Sequence, residues 1–350
     1  MRLIALLALA ATASAFAAGF PRPARAESAK RISGPFVHDN LAIYFVHGPS
    51  ASGSAPLTLR EALAKNTVRV TETGSVHELR IENLGDEEVF IQAGDIVKGG
   101  RQDRVLTISF VLAPKSGQVP IASYCVEQGR WRKRGAEDST KFSSADYSLP
   151  SRAAKLAMKA PSAAAGSSGY ANVGERQHKV WNDVSAVQTK LSKNLKGEVA
   201  SPESKSSLQL SLENKKLEKT RDEYIKALKE KGEGPDDIVG FVFAVNGRIN
   251  SADVYPSNGL FRKMWSKLLA SSITEAIGEK PAEDNQGGLT PETPSSAAVE
   301  AFLNEAEKPK PQEHVMSDYA IRETRDAKDS LFVEAKRRKG GWIHRNYLAK

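Results

Sequence analysis

"DIVGFVFAVNGRINSADVY" spans residues 237–255, and its reading decides the fold class. Two β runs flank Asn246-Gly247, a pair suited to the two central positions of a type I′ turn, so the stretch predicts a hairpin. Immediately after it, "SNGLFRKMWSKLLASSITEAIG" (257–278) repeats Phe261, Trp265, Leu268, Leu269 and Ile273 at helical spacing, and Gly278 suits a C-terminal cap. Trp265 lies on the apolar stripe and is read as core.

Upstream, residues 41–125 read as β. "LAIYFVHG", "VRVTET", "HELRIEN", "EVFIQAG", "RVLTISFVLA" and "VPIASYC" are short β-branched and aromatic runs, broken by Gly, Asn, Asp, Pro and Ser. The alternation on either side of "NLGDEE" predicts a hairpin over 77–92. A short helix over 58–66 interrupts the strands, with Thr58 as N-cap and Glu61 at capping-box spacing. The stretch 132–176 is charged and rich in Gly, Ser and Pro, so it predicts an irregular surface segment with a short helix at 152–159. From Gln177 the period is helical, with Val180, Val184, Val187 and Leu191 on one face, and a second helix is expected over about 207–231.

A polar linker at 280–295, a helix over 295–306 and C-terminal strands complete the chain. The expected fold is therefore α+β: an N-terminal antiparallel sandwich or barrel-like part over 38–131, a helix-rich part with its hairpin over 177–279, and a helix plus strands over 296–350. There is no internal repeat with a consistent period.

The first 26 residues have the pattern of an export signal. One basic residue precedes an Ala/Leu-rich stretch, and Ala24-Arg25-Ala26 fits a small-x-small cleavage site. Export to the periplasm or beyond is the expectation, with no membrane span once the leader is gone. Losing Arg2, Arg22 and Arg25 lowers the formal net charge from +8 to +5. That charge is spread over mixed Lys/Glu sequence, which argues against a nucleic-acid partner. The single cysteine, Cys125, rules out an internal disulfide and a Cys-rich zinc site.

Two stretches carry possible chemistry. In "GDIVKGGRQDR" (94–104), Gly99-Gly100 allow backbone conformations closed to other residues and a close ligand approach. Arg101 and Arg104 offer bidentate donors to carboxylate or phosphate. Asp95, Gln102 and Asp103 can hold hydroxyl groups. The second stretch, "ASYCVEQGRW" (122–131), ends a strand with Glu127, Gln128, Gly129, Arg130 and Trp131. The turn at "PKSG" (114–117) pairs the runs on either side of it. That pairing predicts that Asp103/Arg104 meet Cys125/Glu127 at one sheet edge.

These two motifs in order, followed by "VGFVFAVNGRINSADVYPSNGLFRKMWSKLL", resemble the ARPP domain. That family is named for its association with ADP-ribosylglycohydrolase and rhodanese-phosphatase proteins. The resemblance covers about 38–279 and extends to the C-terminal strands. It implies an α+β domain and a link to NAD-derived or ADP-ribosyl metabolites. It assigns the motif positions to Asp95, Gly99, Gly100, Gln102, Asp103, Arg104, Glu127, Gln128, Gly129, Arg130 and Trp131.

A hydrolytic reading makes Asp95 or Glu127 the general base, with Arg104 or Arg130 balancing developing negative charge. The competing reading is a non-catalytic periplasmic module for ligand binding or protein interaction, in which the same groups hold a small anionic or polyhydroxyl ligand, with Trp131 stacking on a ring. Cys125, ending an apolar strand, is read as packing. The six histidines are scattered without metal-ligand spacing, so no metal is expected. No cofactor is identified.

Overall fold

The computed structural model describes residues 30–159, 169–281, 292–316 and 320–350. The leader expected at 1–26 and most of the expected linker at 280–295 lie outside them. The chain begins with β1 (Arg31–His38), β2 (Leu41–His47), β3 (Leu57–Thr58), α1 (Leu59–Ala64), β4 (Val68–Glu72), β5 (Glu78–Asn83) and β6 (Val89–Ile91). It continues through β7 (Asp95–Gly99), β8 (Arg104–Leu106), β9 (Phe110–Leu112), β10 (Gly117–Cys125), β11 (Phe142–Ser148), α2 (Arg152–Lys159) and α3 (Gly169–Asn194). Then follow α4 (Leu208–Leu212), α5 (Lys215–Leu228), β12 (Ile238–Val245), β13 (Arg248–Val254) and α6 (Asn258–Gly278). The described residues close with α7 (Ser296–Ala306), β14 (Gln312–Val315), β15 (Ala320–Asp326), β16 (Ser330–Arg337) and β17 (Trp342–Ala349).

The fold is α+β. Eight strands form one sheet in the order β1-β2-β12-β13-β17-β16-β15-β14, with every pairing in it antiparallel. The β12–β13 hairpin sits in mid-sheet and turns on Asn246 and Gly247, whose φ values of 51° and 72° suit a type I′ turn. Both faces of this sheet are covered, which is why β2 and β12 are apolar without alternation. Ile43, Phe45, Phe241 and Phe243 join the core of α6, whose Phe261 and Trp265 pack edge-on against Phe45 and whose Trp265 packs edge-on against Phe241. Tyr44, Val46, Val242 and Ala244 face the other way, onto Val299 and Leu303 of α7.

Two smaller sheets enclose a second core. Their orders are β11-β7-β8-β10-β5-β4 and β3-β6-β9, and Val70, Ile81, Val97, Leu106, Phe110 and Ile121 fill the space between them. The larger of the two curves as a half barrel. Thr58 caps α1 with Glu61 in a reciprocal capping box.

Four expectations are corrected. The boundary expected at residue 131 does not separate two sheets, because β2 pairs with β12. The hairpin expected over 77–92 does not form: β5 and β6 enter different sheets. Asn83 ends β5 and holds the crossing, donating from Nδ2 to the carbonyls of Glu87 (2.8 Å) and Ala113 (3.0 Å) while its Oδ1 accepts from Gly85 N.

The single helix expected over 207–231 is two. Asn214 breaks it, its side chain accepting from the amides of Lys216 and Leu217 as the N-cap of α5. The stretch 132–176 is not wholly irregular either. Besides α2 it carries β11, paired with β7, and the start of α3.

Candidate functional site

The two motif stretches meet at one sheet edge. Cys125 pairs with Arg104 across β10 and β8, and Val126 N donates to Asp103 O at 3.1 Å. There the acids and guanidinium groups are buried and turned toward one another. Asp103, Arg104 and Glu127 are each 0% exposed, and Arg130 is 8% exposed. Glu127 Oε2 accepts from Arg130 Nε at 2.7 Å and from Asp103 N at 3.2 Å, while Oε1 accepts from Ser204 Oγ at 2.6 Å. Asp103 Oδ2 accepts from Arg134 Nη1 (2.7 Å) and Ser207 Oγ (3.0 Å), and Oδ1 accepts from Gly99 N (3.0 Å).

Arg130 also donates to the Gly99 and Gly100 carbonyls, and Gln102 Nε2 donates to Glu127 O. Arg104 donates to Gln102 O and lies 3.6 Å from Glu72 Oε2. Asp103, Glu127 and Arg130 thus spend their charge on one another and on Arg134, whereas Nε and Nη2 of the buried Arg104 have no hydrogen-bond partner among the described residues.

Arg134 is the member that the sequence reading missed. It belongs to "RKRGAEDSTK", where three basic residues in a row look like solvated surface, yet it is only 4% exposed. Its neighbours Arg132 and Lys133 do face solvent.

The Gly-Gly pair permits a close approach, though to protein. A Cβ at Gly99 would sit 2.5 Å from the Lys141 carbonyl, and one at Gly100 would sit 2.1 Å from the Phe142 ring. With φ of 120° and 56°, both lie in the region that favours glycine and press β7 against β11. What remains at the surface is Arg101, Gln128, Gly129 and a 40% exposed Trp131, over whose ring Arg101 and Arg104 lie at 5.4 and 5.5 Å.

Asp95 is not part of this cluster. It pairs with Lys267 of α6 and accepts from Gln92 N. Cys125 is fully buried, and burial pushes its thiol up to about 11 even with Arg104 nearby. Its backbone is clasped by Gln177 of α3, which accepts from Cys125 N and donates to Cys125 O. Iodoacetamide is therefore expected to leave Cys125 unmodified in the folded protein and to alkylate it fully in denaturant, as read by intact mass.

A family model, the ARG and Rhodanese-Phosphatase-superfamily-associated Protein domain, matches residues 30–348. The chain belongs to the ARPP-1 family. No curated protein and no solved structure matches it. The ARPP-1 match takes in both motifs and also the hairpin and α6, where the structure opens a cleft.

That cleft holds about 700 Å³ and lies between the start of α2, α3, the Asn246-Gly247 turn and the end of α6. Glu275 and Asn250, 8% and 6% exposed, line it. Glu275 Oε1 accepts from Arg152 N (2.8 Å) and Asn250 Nδ2 (3.0 Å). Glu275 Oε2 and Asn250 Oδ1 have no donor. Arg152 and Arg248 line the same cleft, and neither guanidinium makes an ion pair among the described residues. Lys190 is paired with Glu279 at 2.7 Å. Burial raises the Asp183 carboxyl above its ordinary value, against the pull of Lys190.

These residues are scattered over a hundred positions, so no sequence spacing links them. Among the described residues, no three His, Cys, Asp or Glu side chains gather as metal ligands, and no helix is long and apolar enough to cross a membrane.

Proposed function

We propose that this ARPP-1 protein binds a small anionic, polyhydroxyl metabolite of the ADP-ribose type in the cleft between α2, α6 and the β12–β13 turn. One observation carries the reading. Among the described residues, two guanidinium groups without an ion pair (Arg152, Arg248) share a cleft with two buried acceptors that lack donors (Glu275 Oε2, Asn250 Oδ1). A diphosphate satisfies the first pair through charge-assisted hydrogen bonds, and ribose hydroxyls satisfy the second. An unfilled buried acceptor costs about 1–3 kcal/mol, which a hydroxyl donor would recover. The cleft volume of about 700 Å³ falls in the range of small-molecule sites. The family's association with ADP-ribosylglycohydrolases agrees with this ligand class.

The reading moves the ligand away from the Gly-Gly-Arg-Gln-Asp-Arg motif, whose Asp103 is buried and bonded to Arg134, Ser207 and Gly99 N. It is a binding function: Glu127 and Asp95, the acids proposed as general bases, each face a buried cation.

Titration calorimetry with ADP-ribose tests it. The wild type is expected to bind, and the Arg152→Ala/Arg248→Ala double variant to bind on the order of 100-fold more weakly, since each removes a charge-assisted contact. Unchanged affinity in the double variant, or no binding of ADP-ribose, AMP or ribose 5-phosphate by the wild type, defeats the reading.

A further inference from the structure

A second polar centre lies deeper in the fold, and neither the motifs nor the cleft account for it. Asp253 of β13 and His344 and Asn346 of β17 come together there with Lys159, the last residue of α2, and all four are buried. Asp253 Oδ1 lies 2.9 Å from His344 Nε2 and accepts from Asn346 Nδ2 at 2.9 Å. Lys159 Nζ donates to Asn346 Oδ1 at 2.7 Å.

The charges of this centre do not balance. Against burial, the bond from His344 holds the Asp253 carboxyl below its ordinary value, so Asp253 is anionic at pH 7. Burial lowers the His344 imidazole, which is neutral at that pH. Lys267 is engaged by Asp95 at 2.5 Å. Lys155, Lys159 and Arg322 remain, none of them in an ion pair among the described residues. Of the charged groups that act on Lys159, Asp253 is an acid, whereas Lys155 and Arg322 are cations. A buried charge without a counter-charge is costly.

Hydrogen-bond donors are in surplus at the same place. Lys159 Nζ can donate three hydrogen bonds and gives one to a side-chain acceptor. Lys155 Nζ has no hydrogen-bond partner among the described residues and lies 5.9 Å from the centre of the Phe243 ring. Ser148 is 4% exposed, and its Oγ has no partner. These three groups line one cavity of about 20 Å³, roughly the room of a single water-sized sphere. Ser271 and Ser272 on its wall donate to the carbonyls of Lys267 and Leu268, so their hydroxyl protons are taken. Asp253 also borders it, with Oδ1 held by His344 and Asn346. A water would fill the space without bringing charge.

We propose that this cavity is a binding site for one monatomic anion of chloride size, held by Lys159 Nζ, Lys155 Nζ and the Ser148 hydroxyl. The ion accepts from all three donors and supplies the missing negative charge, through contacts of the charge-assisted kind. The room admits one atom and not a tetrahedral oxyanion, so sulfate and phosphate are excluded. Lys155 is the charged liner that keeps part of its surface open, on the side from which an ion enters. Once bound, the ion fastens α2 to the middle of the eight-stranded sheet, because Lys155 and Lys159 belong to α2 and their acceptor Asn346 to β17. Without chloride, the Lys159 ammonium carries the full cost of its burial.

Anomalous scattering from crystals of the full chain grown with sodium bromide, together with unfolding in chloride, tests this. A bromide peak is expected in the cavity, within hydrogen-bonding reach of Lys159 Nζ and Ser148 Oγ. At pH 7 and fixed ionic strength, replacing sodium gluconate, whose anion is too large for the space, by sodium chloride should raise the unfolding midpoint. Its dependence on the logarithm of chloride should correspond to one anion per chain. Lys159→Met should abolish both the peak and the chloride dependence, and Ser148→Ala should weaken chloride on the order of tenfold. If Lys159→Met fails to fold, Ser148→Ala and the wild-type bromide peak decide the matter. A cavity holding only a water, bromide at surface lysines alone, or a chloride dependence that survives in Lys159→Met overturns the proposal. The cavity shares no lining residue with the cleft, so this outcome and the fate of the ADP-ribose reading are read separately.

Discussion

Asp103→Ala is expected to destabilise the fold by about 3–5 kcal/mol, the cost of breaking a buried, hydrogen-bonded ion pair by removing one member. The substitution takes from Arg134 the carboxylate that its Nη1 bonds, leaving it Glu137 at 2.9 Å, and removes the acceptor that fixes Gly99 N. It also leaves Arg130 balanced by Glu127 alone. Chemical denaturation of the wild type and the variant measures the loss directly. The same measurement separates two roles for the motif. A ligand-facing aspartate could be truncated with little loss of stability and a large loss of binding. The geometry gives the reverse, because Asp103 has no surface and every contact it makes is internal.

The second large effect is a pH dependence carried by Lys159. Burial lowers its pKa from the ordinary 10.5 to about 8, with Asp253 pulling the other way. The folded value lies below the unfolded one, so between those two pH values the unfolded chain binds a proton that the folded chain has released. Stability from this group therefore rises with pH across that window, and below about 8 its full cost is present. A difference of two to three pH units corresponds to about 3 kcal/mol.

Lys159→Met cancels the term while every other group still titrates. The stability of the wild type relative to Lys159→Met is expected to climb by about 3 kcal/mol between pH 7 and pH 10.5. A flat difference across that range would show that Nζ titrates as it does in water.

Local chemistry was legible in the sequence and long-range assembly was not. Thr58 with Glu61, Asn246 with Gly247, and the short helix from Arg152 to Lys159 each follow from interactions a few residues long, and each forms. The choice of sheet by β5 and β6 turns on Asn83 reaching the carbonyl of Ala113, thirty residues away, so their alternation looked like a hairpin. β11 was invisible because "FSSADYS" lacks a strand's alternation and exists through its contact with two glycines.

The site readings divide along the same line. The turn at 114–117 correctly pointed to Arg104 beside Cys125, but nothing in the sequence said whether those charges face solvent or one another. Arg134 looked like surface. Asp95 shares a motif with Asp103 but a partner with α6. Glu275 reads as an ordinary acid on a helix, and only the fold sets it under Asn250 and the first amide of α2.

A crystal structure of the chain with ADP-ribose tests the central claim most directly. The account predicts ligand density in the cleft at the Asn246-Gly247 turn, with the diphosphate on Arg152 and Arg248 and a ribose hydroxyl donating to Glu275. Density at Arg101 and Trp131, or an Asp103–Arg134 network opened around the ligand, would contradict it.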